Sequence, residues 1–181
     1  MCMELSDEDL VAAAVGGDGA AFSALVTRHY DTIFRFAFRL LGQKAEAEDL
    51  AQDVCAALPG KIAGFRGDAR FTSWLYRIVA NAATDRFRRA RTRSRAAEGW
   101  GETVMLSTAE DAAKHAEMAW LQQAMSRLSP DLRATLALVL GEDMTHRKVA
   151  EALDIPEGTV AWRMSEVRRE LRRMAEQEAR T

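Results

Sequence analysis

The sequence predicts an all-α protein of two small helical domains joined by a linker, and three observations carry that expectation. Proline is scarce, with 3 in 181 residues, and Ala, Leu, Arg and Glu are abundant while β-branched runs are few, a composition that favours helix over strand. Apolar residues recur at helical spacing through most of the chain rather than alternating. That periodicity collapses once, between about residues 93 and 114, and then resumes. The expected boundaries are an N-terminal four-helix domain over 1–92, a linker over 93–114 and a C-terminal domain over 115–181.

The elements follow in order. Ser6 stands three residues before Asp9 and just ahead of LVAAAV, the pattern of an N-cap with an acidic first turn, and the glycines from Gly16 to Gly19 end that short helix. A long second helix spans Ala20 to Leu41, with Phe22, Leu25, Val26, Tyr30, Ile33, Phe34, Ala37, Phe38 and Leu41 as its apolar stripe and Gly42 as its C-terminal cap. The third runs from Lys44 to Leu58, where Pro59-Gly60 should stop it. It buries Leu50, Val54 and Leu58 and shows Glu46, Asp49, Gln52 and Asp53 on another side. By itself such an acidic side is an ordinary solvated face.

The most informative stretch is FRGDARFTSWLYRIVANAATDRFRR, from Phe65 to Arg89. Read as a helix from Phe71, it puts Phe71, Leu75, Ile78, Val79 and Ala82 toward a core. The other side carries Tyr76, Arg77, Asn81, Asp85, Arg88 and Arg89, with Trp74 at its edge. Flat rings for stacking, interleaved with cations for phosphate, are what a surface needs to hold single-stranded nucleic acid, each stacked base contributing roughly 1–3 kcal/mol. The alternative reading of this stretch alone is an amphipathic helix with a solvated basic face.

After the linker, Met118, Leu121, Met125 and Leu128 line one helix, Ser129-Pro130 breaks it, and Leu132, Leu136, Val139 and Leu140 line the next. Thr145 is placed to cap a short helix, and Asp154 to take a tight turn, since Asp tolerates left-handed backbone. Val149, Leu153, Ile155 and Val160 are buried positions, with small Ala150 where two helices would cross. This is the pattern of a helix-turn-helix. Its second helix bears Arg163, Arg168, Arg169, Arg172 and Arg173, giving several routes to phosphate and one or two to base edges. A plain helical hairpin is the alternative.

Charge is segregated rather than biased. The net charge is −2, yet Arg86 to Arg95 holds 6 arginines in ten positions, while Glu4 to Asp9 and Glu46 to Asp53 are acidic. Different faces therefore suit different partners. The two cysteines, Cys2 and Cys55, lack metal or redox spacing. No apolar run approaches the roughly 18 residues of a bilayer span, and the N-terminus is not signal-like, so a cytoplasmic protein without membrane insertion is expected. Histidines are isolated and no nucleophile-base set or phosphate-cradling loop occurs, so an enzyme has the least support and no metal or cofactor is called for.

Taken together, the chain resembles bacterial RNA polymerase sigma factors of the extracytoplasmic-function (ECF) group over nearly its whole length. AEDLAQDV resembles the helix that docks on the clamp coiled coil of the polymerase β′ subunit, which implies polymerase binding through Asp49, Leu50, Gln52 and Asp53, with the β subunit as a further contact of the chain. FRGDARFTSWLYRIVANAATDRFRR resembles the element that recognises and melts the minus-10 promoter element. The resemblance implies a pocket for a flipped base at Phe65, Arg66, Gly67, Asp68 and Ala69, further strand contacts from Trp74, Tyr76, Arg77, Asn81 and Asp85, and backbone anchoring by Arg86, Arg88 and Arg89. LSPDLRATLALVLGEDMTHRKVAEALDIPEGTVAWRMSEVRREL resembles the minus-35 domain and implies upstream contacts from Thr145, Thr159, Trp162, Arg163, Ser165, Arg168 and Arg169. An anti-sigma factor is implied as a further partner. The chain departs from the family pattern at Pro59, where a large aromatic is common, at His146, Arg147 and Lys148, which replace an aromatic-acidic-acidic run, at Ala161-Trp162, where Lys or Arg followed by Ser is common, and at Glu166, where a basic residue is frequent. The competing reading is a self-standing helix-turn-helix regulator whose N-terminal bundle is a sensor or dimerisation module.

Overall fold

A computed structural model of the chain describes residues 5–94, 120–141 and 144–178. The described residues form helices joined by short turns, with no strand among them. Most of the predicted linker, with Trp100, Met105 and Leu106, lies outside the described residues, as do Cys2, His115 and Met118.

Local chemistry fixes several helix ends. Helix α1 (Asp7–Val15) starts at a capping box: the Ser6 hydroxyl accepts from the Asp9 N–H at 3.1 Å and the Asp9 carboxylate accepts from the Ser6 N–H at 3.3 Å. Helix α2 (Gly19–Leu41) starts at Asp18, whose carboxylate accepts from the N–H groups of Ala20 and Ala21. It stops at Gly42, whose φ of 77° lies in the left-handed region that glycine enters without a Cβ clash. Helix α4 (Phe71–Ser94) continues past the expected boundary at residue 92.

Helix α3 (Lys44–Ile62) does not stop before Pro59 as expected but runs through it for one further turn. Proline removes the hydrogen bond that its own N–H would have given to the Cys55 carbonyl, and its ring crowds that carbonyl. Leu58 and Ile62, both buried, hold the added turn against the core. Burial thus outweighs the local stop signal.

Helix α2 is the spine of the bundle, packed by α1, α3, α4 and α6. Because neighbours surround it, its buried arc is wider than the expected stripe. Phe36 and Leu40, outside that stripe, are among the most buried residues, and His29 is buried where its ring can pair with Asp7 at 2.9 Å.

Residues 120–127 form α5, followed by α6 (Pro130–Gly141), α7 (His146–Leu153) and α8 (Glu157–Glu178). Helix α6 is buried on nearly every side from Arg133 to Leu138, because α2 and α4 cover one flank and α8 another. Leu140, expected to line the core, is instead 67% exposed at the helix end. One hydrophobic cluster runs from Leu10 through the first four helices into Ala134, Leu138, Val149 and Val160, so the two helical units share part of their core, while Leu128, Leu136, Met164 and Val167 belong to a second cluster within the C-terminal helices.

Candidate nucleic-acid interface

Three surfaces carry the residues that the sequence points to. The first is on α3. Asp49, Gln52 and Asp53 are exposed on one side, while Leu50 is fully buried. Leu50 therefore packs beneath the acidic face and offers no contact surface, a correction to its expected role. The Asp53 carboxylate receives Arg86 of α4 at 2.5 Å, and the same guanidinium donates to the Glu46 carbonyl at 3.2 Å. Asp49 has no ion pair among the described residues.

The second surface is the turn between α3 and α4 with the outer side of α4. Arg66, Gly67 and Asp68 are exposed, Ala69 is half-buried, and Gly67 takes a left-handed φ of 76°. Behind this turn Phe65 packs edge-on against Phe71 and Trp74, with ring centroids 5.7 and 5.4 Å away, and His29 packs edge-on against Phe71 at 5.3 Å. Such edge-to-face contacts stiffen the wall behind the turn. Asn81, Asp85, Arg88 and Arg89 follow as an exposed stripe at helical spacing.

Two expected members of this surface lie elsewhere. Tyr76 is only 4% exposed and packs edge-on against Phe36 at 5.1 Å. It is one residue on from Leu75, and the buried arc of α4 is broad enough to take both, so Tyr76 is core and not a stacking surface for bases. Arg77 points to the second half of the chain, 3.2 Å from the Asp154 carboxylate and 3.3 Å from the Glu151 carbonyl.

The third surface is the helix-turn-helix of α7 and α8. Thr145 caps α7 by accepting from the Lys148 N–H at 3.4 Å. Asp154 takes the turn with φ 57° and ψ 49°, the left-handed geometry expected of it. Ala150 is buried at the crossing, where its small side chain lets the helices approach. On α8, Val160, Met164, Val167 and Met174 face inward, Thr159 is half-buried, and Trp162, Ser165, Arg168 and Arg169 are exposed. Arg163 turns toward α6, 3.5 Å from Asp131, and Arg169 pairs with Glu166. Arg173, bonded to Glu170 at 2.7 Å, and Arg172 extend the basic side.

Sequence reasoning missed Arg133. It is buried, donates to the carbonyls of Leu40 at 3.2 Å, Ser126 at 2.6 Å and Leu128 at 3.3 Å, and sits 4.3 Å above the Phe87 ring. It bridges the two helical units beneath the surfaces described above. The only trace in the sequence is a cation inside the apolar run LRATLALVL.

Comparison with known proteins agrees with this layout. The family model of sigma-70 region 2 matches residues 25–93, and that of sigma-70 region 4 matches residues 118–171. The ECF RNA polymerase sigma factor SigM of Mycobacterium tuberculosis is 36% identical over 172 residues, 94% of this chain and 85% of that protein. SigW of Bacillus subtilis, also an ECF RNA polymerase sigma factor, is 29% identical over 182 residues, 94% of this chain and 97% of that one. Among solved structures, CnrH in complex with the cytosolic domain of CnrY has a TM-score of 0.66 at 25% identity, covering 94% of this chain and 97% of that one. The sigma factor RpoE of Bartonella quintana, solved with the anti-sigma factor NepR, shares the fold at a TM-score of 0.61 and 22% identity, covering 86% and 96%. With both regions matched in order and a relative this similar along nearly its full length, the chain belongs to the ECF sigma factors of bacterial RNA polymerase.

Proposed function

We propose that this sigma factor divides its work among the three surfaces. The exposed carboxylates of Asp49 and Asp53, with Gln52, dock on a basic surface of core polymerase at the β′ clamp helices, and the β subunit holds other parts of the chain. The turn from Phe65 to Ala69 takes a base flipped from the minus-10 element. Trp74, Asn81 and Asp85 hold the same strand, and Arg88 and Arg89 anchor its backbone. Extracting a base costs a few kcal/mol, which contacts to the freed base offset. The outer side of α8 binds the minus-35 duplex, with Arg168 and Arg169 on phosphates.

The observation that carries this reading is the exposed turn at Arg66, Gly67 and Asp68, with the Phe65–Phe71–Trp74 ring cluster next to it and exposed Asn81, Asp85 and Arg89 further along α4. A rigid wall behind an open turn is what a flipped base requires. No step needs covalent chemistry, so the chain acts as a specificity subunit and not as an enzyme, in the cytoplasm where core polymerase works. CnrH and RpoE, solved with a partner domain and an anti-sigma factor, support control of this chain by an anti-sigma factor.

The test uses the full chain with purified core polymerase. Asp49→Lys reverses charge at a site with no described ion pair, so co-elution with core enzyme should be lost while the fold is kept. Asn81→Ala should still co-elute but lower strand opening, read by permanganate oxidation of unpaired thymines, about tenfold, the ~1.4 kcal/mol of one lost contact. Retained co-elution of Asp49→Lys, or normal opening by Asn81→Ala, would remove the corresponding assignment.

A further inference from the structure

The outward side of α8 changes character along its length. Over its first nine residues the exposed ones beyond Glu157 are Gly158, Ala161, Trp162 and Ser165. Beyond them come Arg168, Arg169, Arg172 and Arg173. In a helix-turn-helix the N-terminal residues of the second helix reach base edges, and later turns pass the sugar-phosphate wall. The cations of α8 therefore lie at phosphate level. The only arginine in the first two turns, Arg163, is drawn onto α6 by Asp131 and its side chain is only 16% exposed.

Guanine is read in the major groove by bidentate donation from Arg or Lys, and adenine by Asn or Gln. Apart from Arg163, which is paired with Asp131, none of these side chains is on the base-facing turns. What is there is an indole, 60% exposed, one of four large apolar residues exposed among the described residues. Thymine is the base that presents an apolar group in that groove, its 5-methyl. The indole N–H can add one hydrogen bond, but a single donor meets the O4 of thymine as readily as the O6 of guanine. Gly158, one turn before Trp162, has nothing within 4 Å of where a Cβ would be. No packing demand holds a glycine there, and its missing side chain leaves clearance for the helix end to enter the groove.

We propose that Trp162 is a specificity-determining residue of the upstream contact, selecting thymine through its 5-methyl group instead of guanine through hydrogen bonds. The inference rests on α8 being the upstream recognition helix. Moving one methyl from water onto the indole changes affinity about fourfold.

The experiment presents holoenzyme, assembled from the full chain and core polymerase, with promoter duplexes randomised over the upstream element, and sequences the bound fraction. Wild type should enrich thymine, Trp162→Ala should lose that enrichment, and Trp162→Arg should shift it to guanine. Replacing an enriched thymine with deoxyuridine removes the methyl alone. It should weaken wild-type binding about fourfold per position and leave Trp162→Ala unaffected. Guanine enrichment by wild type, the same selection by Trp162→Ala, or indifference of wild type to deoxyuridine would overturn the proposal. Absence of any upstream preference in a holoenzyme that still opens promoters would overturn the assignment of α8 itself, and with it the proposal. Trp162 is outside the core, so helix content measured by circular dichroism should match wild type in every variant.

Discussion

Arg133 is the side chain whose loss should be felt most widely. Its guanidinium serves carbonyls at the C-terminal ends of α2 and α5, groups that lack intrahelical partners and carry the negative end of the helix dipole. Burial lowers its pKa below the ordinary arginine range, and a guanidinium stays cationic at neutral pH. Arg133→Met keeps the apolar stem but leaves those carbonyls without a donor, at a cost of about 2–4 kcal/mol. Urea unfolding checks this, and a loss under 1 kcal/mol would show that water replaces the guanidinium. The sequence could not reveal this role, because a lone arginine on a helix usually faces water. Tyr76 misleads for a related reason: its ring suits either a core or a base, and its neighbours, not its identity, decide.

At the scale of elements, caps and turns were readable wherever a hydrogen bond closes within three or four residues. Ser6 with Asp9, Thr145 with Lys148 and the left-handed turns at Gly42 and Asp154 are all of that kind. Pro59 is the counterexample, because the force that carries α3 past it comes from residues distant in sequence. An interior proline costs up to about 3 kcal/mol relative to alanine, reduced by about 1 kcal/mol through its restriction of the unfolded chain. Pro59→Ala should therefore stabilise the protein by about 2 kcal/mol and raise Tm by about 4–8 °C. An unchanged Tm in differential scanning calorimetry would mean that α3 already accommodates the proline without loss.

At the scale of the molecule, the two helical units meet through α2, α4, α6 and α7. Arg77 and Asp154 add an ion pair across this contact, and Arg133 with Phe87 adds a cation above a ring. A shared core makes separate melting of the halves costly. Thermal unfolding should show one transition, with helical circular dichroism and tryptophan fluorescence giving coincident curves. Two resolved transitions would show that the halves are thermodynamically independent.

By itself the sequence determined the helices, several of their ends, the helix-turn-helix and the stretches that place this chain among the ECF sigma factors, because periodicity, capping and motif spacing are properties of neighbouring residues. Tertiary structure alone decided which side chains in those stretches are available. It buried Leu50 and Tyr76, engaged Arg77, Arg86 and Arg163 within the fold, and left Trp162 uncovered. Availability depends on what packs opposite, and contacts such as Arg77 with Asp154 join residues far apart along the chain, which no local pattern records.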